Sequence, residues 1–443
     1  MPQHLSVMVV GSGAREHAIS SAYEKSRHVG RIIVAPGNDF IGFKRQKEVL
    51  IEKGCSLKDP ESILRIARKY KPDLIDVAQD NALERGTVDV LNKSGFQTFG
   101  PTRGSARIEW DKRWSREFME RHGIPQPEFS YFDKRRPAIR HVKGIYRRDP
   151  EFLLYTKATG LCSGKGALKS TNSREAIRNI KKMKMFPDGA GDVFLVEEGL
   201  RGEEFSYYAI SDGSTYHPFK SAQDNKTVFD FDEGDQTGGM GAVSPAKVTD
   251  GISQQIEEEQ IARAIEGMAS EGIPYEGILY LGGIVVNGKP MNIEYNARWG
   301  DPECQAVLPS VETDYIDVIQ ACKEGKLSGI KIRQDGKTRV CVVGASRGYP
   351  GNYDNVKGKR VYGIERAMGM DGVRIFGAGI DVRDKKFYAS GGRLFSVVAE
   401  GNDILEARQK AYSAIACISI EGNNLHYRTD IGWRDLRRFW NHN

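Results

Sequence analysis

In the run Ile293-Glu294-Tyr295-Asn296-Ala297-Arg298, charged or amide side chains occupy every second position. Alternate side chains of a strand share a face, so Glu294, Asn296 and Arg298 are expected to point the same way. Carboxylate and amide oxygens suit a hard cation that keeps some of its water and shares phosphate oxygens. An arginine beside them neutralises charge developing on a transferring phosphoryl or acyl group. The polar outer face of an edge strand would carry a similar pattern. Against that reading, the sequel Trp299-Gly300-Asp301-Pro302-Glu303 adds two carboxylates in a tight turn.

Three further runs suit anionic ligands. Lys157-Ala158-Thr159-Gly160-Leu161-Cys162-Ser163-Gly164-Lys165-Gly166 joins a strand to a second strand-like run. Its glycines let backbone N–H groups approach phosphate oxygens. No Ser or Thr follows Lys165, so this is not the common phosphate-loop signature. The reading is a movable flap over a triphosphate, with an exposed hairpin as the alternative. Glu197 and Glu198 end a strand and precede Glu203-Glu204, where carboxylates can meet adenine and ribose hydroxyls or simply make a charged turn. Gly11-Ser12-Gly13-Ala14-Arg15-Glu16-His17 opens a helix after a strand, an anion site by geometry. Glu16 stands where a dinucleotide fingerprint has its third glycine, which argues against a nicotinamide cofactor. A single phosphate gripped by Arg15 fits better, and a tight turn without a ligand fits nearly as well. The loops Gln223-Asp224-Asn225-Lys226 and Thr237-Gly238-Gly239-Met240-Gly241-Ala242 are long, polar and glycine-rich, suited to closing over a small substrate.

These runs must be held by several cores, because 443 residues exceed what one core supports. Up to residue 105, apolar strands alternate with helices: strands at 7–10, 31–35, 74–78 and 98–99, helices near 15–26, 61–69 and 83–93. That order predicts a doubly wound parallel sheet. A charged helical stretch follows from about 105 to 121. A small strand-rich unit over about 127–200 holds strands near 151–157 and 193–197 and a helix near 174–185. Strands and a long helix near 252–270 run to Pro309. A strand at 339–344 and a helix near 404–418 mark the last part. The expected division is 1–105, 106–325 and 326–443.

The six cysteines are scattered with no C-x-x-C pair, which points to free thiols in a reducing cytoplasm. No stretch of about 18 apolar residues exists, so no membrane partner is expected. The net charge of +6 is spread along the chain, and clusters such as Lys134-Arg135-Arg136 and Lys181-Lys182 are short. A nucleic-acid surface needs a stronger localised stripe, so none is expected. The balance suits small anionic substrates.

An N-terminal phosphate-reading sheet, a lysine–glycine loop and a Glu-x-Asn-x-Arg strand resemble the ATP-grasp ligases. Gly11 to Ala18, Ala35-Pro36-Gly37-Asn38, Phe99-Gly100-Pro101, Thr237 to Ala242, Arg298 to Glu303, Gly391-Gly392-Arg393-Leu394 and Tyr427 to Gly432 are similar, in order, to the phosphoribosylamine–glycine ligase family. The resemblance implies an α/β protein with an N-terminal doubly wound domain, a central ATP-grasp domain of two α+β subdomains and a mixed α/β C-terminal domain. It implies ligation of glycine to 5-phosphoribosylamine through glycyl phosphate, with ATP and Mg²⁺ or Mn²⁺, by a cytoplasmic monomer or homodimer. By the same resemblance Lys112 and Lys157 contact ATP phosphates, Gly164, Lys165 and Gly166 form the flap, and Glu197, Glu198 and Glu204 border the nucleoside. Glu294 and Asn296 hold the metal and Arg298 stabilises the acyl phosphate. Gly13, Arg15, Glu16, Gly238 and Gly239 lie near the substrates, and Asp224, Asp301 and Glu303 orient the amines. The sequence departs from the family pattern at Gln79-Asp80-Asn81, Thr159, Asn225, Thr227, Asp235-Gln236 and Gly377, mostly on the amine-substrate side. The competing readings are an ATP-grasp ligase with another acceptor and a non-catalytic nucleotide-binding regulator.

Overall fold

The computed structural model describes residues 4–162 and 166–442. Five parallel strands form the N-terminal sheet in the order Glu48–Ile51, Val29–Pro36, Leu5–Gly11, Leu74–Val77 and Thr98–Phe99. Val7 to Val10 and Ile32 to Ala35 are buried, as continuous apolar runs must be when both sheet faces are covered. The expected doubly wound sheet is present, with one more strand, Glu48–Ile51, than the apolar pattern indicates. The helix expected over 83–93 is two helices, Asp80–Glu84 and Thr87–Lys93, because Gly86 between them takes a left-handed φ of 74°. The charged stretch 105–121 also divides, into Arg107–Trp110 and Lys112–Arg121 with Asp111 between them. Asp111 caps the helix Lys112–Arg121 by accepting from the Trp114 N–H at 3.0 Å, so Lys112 opens a helix and its N–H reaches the Thr159 carbonyl.

Two four-stranded antiparallel sheets fill the centre. One has the order Phe129–Phe132, Phe194–Glu198, Leu154–Ala158, Ala167–Ser170. Helices Arg135–Arg148 and Ser173–Lys182 cover it, burying Ala138, Val142, Ala176 and Ile180 against Leu154, Phe194 and Val196. The other has the order Tyr216–Pro218, Glu203–Asp212, Glu276–Val286, Lys289–Asn296. The last strand ends at Asn296, so Arg298 lies just beyond it.

The C-terminal sheet runs Gln223–Asp224, Gly241–Ser244, Thr338–Ser346, Arg393–Gly401, Val373–Gly377. Its first two strands come from the middle of the chain, so the loop between Asp224 and Gly241 is anchored at both ends on that sheet. All six cysteines are free. Among the described residues, no helix is long and apolar enough to cross a membrane.

Asp76 is buried in the N-terminal sheet and accepts a 2.8 Å hydrogen bond from the Tyr23 hydroxyl. Burial pushes its carboxyl up to about 7, against the Tyr23 hydrogen bond, which lowers it. A carboxyl raised in the folded state contributes fully below its unfolded value, near 4, and loses that contribution as pH rises through about 7. Asp76→Asn keeps the acceptor and removes the titration. The variant should match the wild type near pH 4 and exceed it in thermal midpoint at pH 8, by at most about 4 kcal/mol in stability. Chemical and thermal denaturation across that range measure the gap, and a gap that does not grow with pH contradicts the assignment.

Candidate functional site

The strand Lys289–Asn296 pairs antiparallel with Glu276–Val286, setting Glu294 opposite Gly282 and Asn296 opposite Tyr280. Glu294 is half-buried, and among the described residues its carboxylate makes no hydrogen bond or ion pair. Burial alone would raise it, but Lys112, Lys226, Lys157 and Arg298 outweigh that and hold it below the usual carboxylate range. Asn296 is buried. Its Oδ1 accepts from the Arg298 guanidinium at 3.1 Å, and its Nδ2 has no partner among the described residues. A carboxylate held ionised and otherwise unpaired, beside an amide oxygen, fits a hard divalent cation.

A cleft beside this strand is lined by Ile108, Lys112, Lys157, Glu197, Ile293 and Glu294. Within it, Lys157 Nζ lies 2.7 Å from Glu197 Oε2. Arg116 grips the same carboxylate through Nε at 2.7 Å and Nη2 at 2.9 Å, and also donates to the Ile293 carbonyl at 2.7 Å. Burial would raise Glu197, yet the two cations hold it at about 2. Burial also lowers Lys157, partly offset by Glu197. Glu197 is thus engaged in fixing Lys157. Glu198 stands half-buried at the strand end, and Glu204 is paired with Lys226 at 2.9 Å. Gly166 packs against Cys162, where an added Cβ would come within 2.9 Å. Gly164 and Lys165 lie outside the described residues.

Arg298 is fixed by a residue the motifs do not reveal. Glu109, 6 % exposed, places Oε1 2.7 Å from Arg298 Nη2 and accepts from the Ala297 N–H through Oε2 at 2.8 Å. Burial would lower the guanidinium, and Glu109 with Asp80 more than reverses that. Arg298 also donates to the Trp299 carbonyl at 3.1 Å. Arg15 donates to the same carbonyl at 3.0 Å from the N-terminal unit, and its Nε sits 2.6 Å from Glu16 Oε1. The Gly13 N–H donates to Glu16 Oε2 at 2.6 Å. Glu16 is therefore turned inward onto its own loop, and Gly13 lies next to Asp301, whose Oδ2 would be 3.4 Å from an added Cβ.

Beyond Arg298 the carboxylates converge. Glu303, 2 % exposed, accepts from Tyr280 at 2.8 Å and Ser206 at 3.1 Å. Gly300 has no room for a side chain, because a Cβ would stand 2.5 Å from the Tyr208 hydroxyl and 2.6 Å from Glu303. Asp301 accepts from Gln305 at 2.7 Å and pairs with Arg393 at 3.2 Å. Arg393 also donates to the carbonyls of Gly238 at 2.6 Å, Gly239 at 3.3 Å and Asp301 at 2.8 Å, fastening two loops together. Gly239 takes φ 108°, and a Cβ there would meet Pro302 at 2.4 Å and Asp224 at 2.9 Å. Asp224 Oδ1 is buried without a partner among the described residues. Burial and the nearby Glu303 push Asp224 well above the usual range, against Lys226 and Arg393.

The structure thus gathers the sequence-derived residues into two adjoining clusters. Lys112, Lys157, Glu197, Glu294 and Asn296 form one. Gly13, Arg15, Glu16, Asp224, Gly238, Gly239, Asp301 and Glu303 form the other, with Arg298 between them. Two of the family departures are occupied by this chain's own contacts. Thr227 accepts from the buried Arg428 at 2.8 Å, and the Gly377 N–H donates to His17 Nδ1 at 3.0 Å. Glu109 and Arg116 escape sequence reasoning, and Arg393, although it lies in the Gly391 to Leu394 run, has a role that only the fold shows, since each acts across 81 to 188 positions.

Residues 5–109, 110–304 and 339–434 match the N domain, the ATP-grasp (A) domain and the C domain of phosphoribosylglycinamide synthetase. A phosphoribosylamine–glycine ligase of Caldanaerobacter subterraneus is 36% identical, covering 96% of this chain and 99% of its own. The chain belongs to the phosphoribosylglycinamide synthetase family. It is 35% identical to a trifunctional purine biosynthetic protein adenosine-3 of Homo sapiens over 97% of this chain, spanning 42% of that longer protein. The crystal structure of a phosphoribosylamine–glycine ligase from Thermotoga maritima superposes with a TM-score of 0.78 at 28% identity, covering 96% of this chain and all of that one.

Glu109→Gln retains an acceptor for the Ala297 N–H and removes the charge facing Arg298. We expect turnover to fall about 10- to 100-fold, roughly 1.4–2.7 kcal/mol of barrier, with little change in the affinity for ATP. Steady-state ADP release reads both quantities, and unchanged turnover would refute the role.

Proposed function

We propose that this chain joins glycine to 5-phosphoribosylamine with ATP, giving glycinamide ribonucleotide, ADP and phosphate in purine biosynthesis. The full-length match to phosphoribosylamine–glycine ligases supports the substrates. The strand end where Glu294, Asn296 and Arg298 meet two lysines supports the chemistry, and it is the observation that carries the reading.

A carboxylate is a poor electrophile, and most of the work is positioning and charge neutralisation. A glycine carboxylate oxygen takes the γ-phosphoryl group of ATP and ADP leaves, so the carboxyl now bears a leaving group. The nitrogen of 5-phosphoribosylamine bonds to the carbonyl carbon, the C–O bond breaks toward phosphate, and the amine gives up a proton. In this reading Lys112 and Lys157 hold ATP phosphates. Glu198 and Glu204 border the nucleoside, and Glu197 keeps Lys157 in place. Glu294 and Asn296 would hold Mg²⁺ or Mn²⁺, which neutralises phosphate charge when bound. Arg298 faces the oxygens that gain charge during phosphoryl and acyl transfer.

Gly13, Arg15 and Glu16 take the ribose phosphate side, and Gly238 and Gly239 line the acceptor. Asp301 and Glu303 orient the amines. Asp224, near Glu303 and with no partner for its buried Oδ1 among the described residues, has an acceptor free to orient the amine.

ADP release should require glycine and 5-phosphoribosylamine together. Glu294→Ala should lower it at least about 100-fold while the thermal midpoint stays unchanged, because a half-buried carboxylate without a partner among the described residues carries little packing. Turnover without glycine would refute the substrate assignment. An active Glu294→Ala enzyme would refute the metal role.

A further inference from the structure

The net charge of +6 conceals a strong asymmetry. Residues 134–184 hold fifteen lysines and arginines and three carboxylates, so that segment carries twice the net charge of the whole chain and the remainder is acidic. In the sequence these cations form short clusters. The fold assembles them, because helices Arg135–Arg148 and Ser173–Lys182 lie together on one sheet and share a core, and the Arg135 guanidinium donates to the Lys181 carbonyl at 3.0 Å.

Each helix then presents a row of exposed cations. Arg136, Arg140, Lys143 and Arg147 recur at i, i+4, i+7 and i+11, a row about 16 Å long at 1.5 Å per residue. Arg174, Arg178 and Lys181 form the second row at i, i+4 and i+7. Among the described residues none of these seven forms a salt bridge. Elsewhere, exposed cations do so, as in Lys44–Glu365, Lys58–Asp188 and Lys69–Glu52. Instead, Arg136–Arg140, Lys143–Arg147 and Arg174–Arg178 are like-charge pairs at i,i+4, which destabilise a helix. The face lies on the outer side of its unit and contributes nothing to the strand-end clusters described above.

We propose that this two-helix face binds the phosphodiester backbone of nucleic acid, without base specificity. Two rows of exposed cations on helices that share one sheet, without salt bridges among the described residues and with few carboxylates nearby, match a regular polyphosphate. A protein partner fits less well, because charged residues are depleted at the centres of protein–protein interfaces.

Fluorescence anisotropy of the full chain with a labelled 20-nucleotide single-stranded RNA tests this. With about six phosphates engaged, affinity should fall roughly twentyfold between 100 and 200 mM KCl. The variant carrying Arg140→Glu, Lys143→Glu, Arg178→Glu and Lys181→Glu should bind at least about tenfold more weakly than wild type while releasing ADP at the wild-type rate, which shows that it folds. Three results would overturn the proposal: no wild-type binding at about 100 µM protein in 100 mM KCl, which lies at the weak end of non-specific binding; a variant that binds as tightly as wild type; or polyglutamate displacing the probe as well as unlabelled RNA at equal charge. The last would assign the face to an acidic protein.

Discussion

One buried carboxylate holds the centre of this molecule together. Glu109 accepts from the Ala297 amide and faces the Arg298 guanidinium, so it fixes both the end of a strand and the direction of the side chain beyond it. Arg298 and Arg15 then donate to the same Trp299 carbonyl, which ties the N-terminal unit to the central sheet at the point where the reaction is proposed to occur. A buried charge that loses its partner costs about 3–5 kcal/mol. Each of these groups is therefore committed to its neighbours, and the arrangement is fixed before any substrate arrives.

From that point charge is sorted to either side. Lysines 112, 157 and 226 keep Glu294 ionised without pairing directly with it, leaving its oxygens available. On the other side Asp224 and Glu303 crowd each other away from water, and Asp224 is pushed toward its neutral form. Fixed charges of this kind are worth more in a water-poor site than in solution, because they need no reorganisation as the reaction proceeds. Gly239 and Gly300 serve the same end sterically, since any side chain there would separate the loops that carry the carboxylates.

The parts legible in the sequence are those whose logic is local. Alternation at 294, 296 and 298, the glycine turn at 11–13 and the apolar strands of the first sheet all follow from near-neighbour periodicity. What was hidden depends on distance along the chain. Glu109 meets Ala297 across 188 positions and Arg116 meets Glu197 across 81, and nothing near Glu109 or Arg116 marks them as partners. The helix Arg135–Arg148 was obscured by Pro137 in its first turn and Gly144 within it, although Ala138, Val142 and Tyr146 keep a helical spacing. Missing that helix also hid the basic face, because its two rows of cations become neighbours only when both helices share a sheet. Strand Glu48–Ile51 sits at the sheet edge, is only partly buried and is short, so its apolar pattern is weak.

If Glu109 acts through Arg298, the two residues form one functional unit and their losses are not independent. A double-mutant cycle in kcat/KM for glycine-dependent ADP release, with Glu109→Gln, Arg298→Ala and the pair, tests this directly. The account predicts that the pair is no slower than Arg298→Ala alone. Losses that multiply would contradict it.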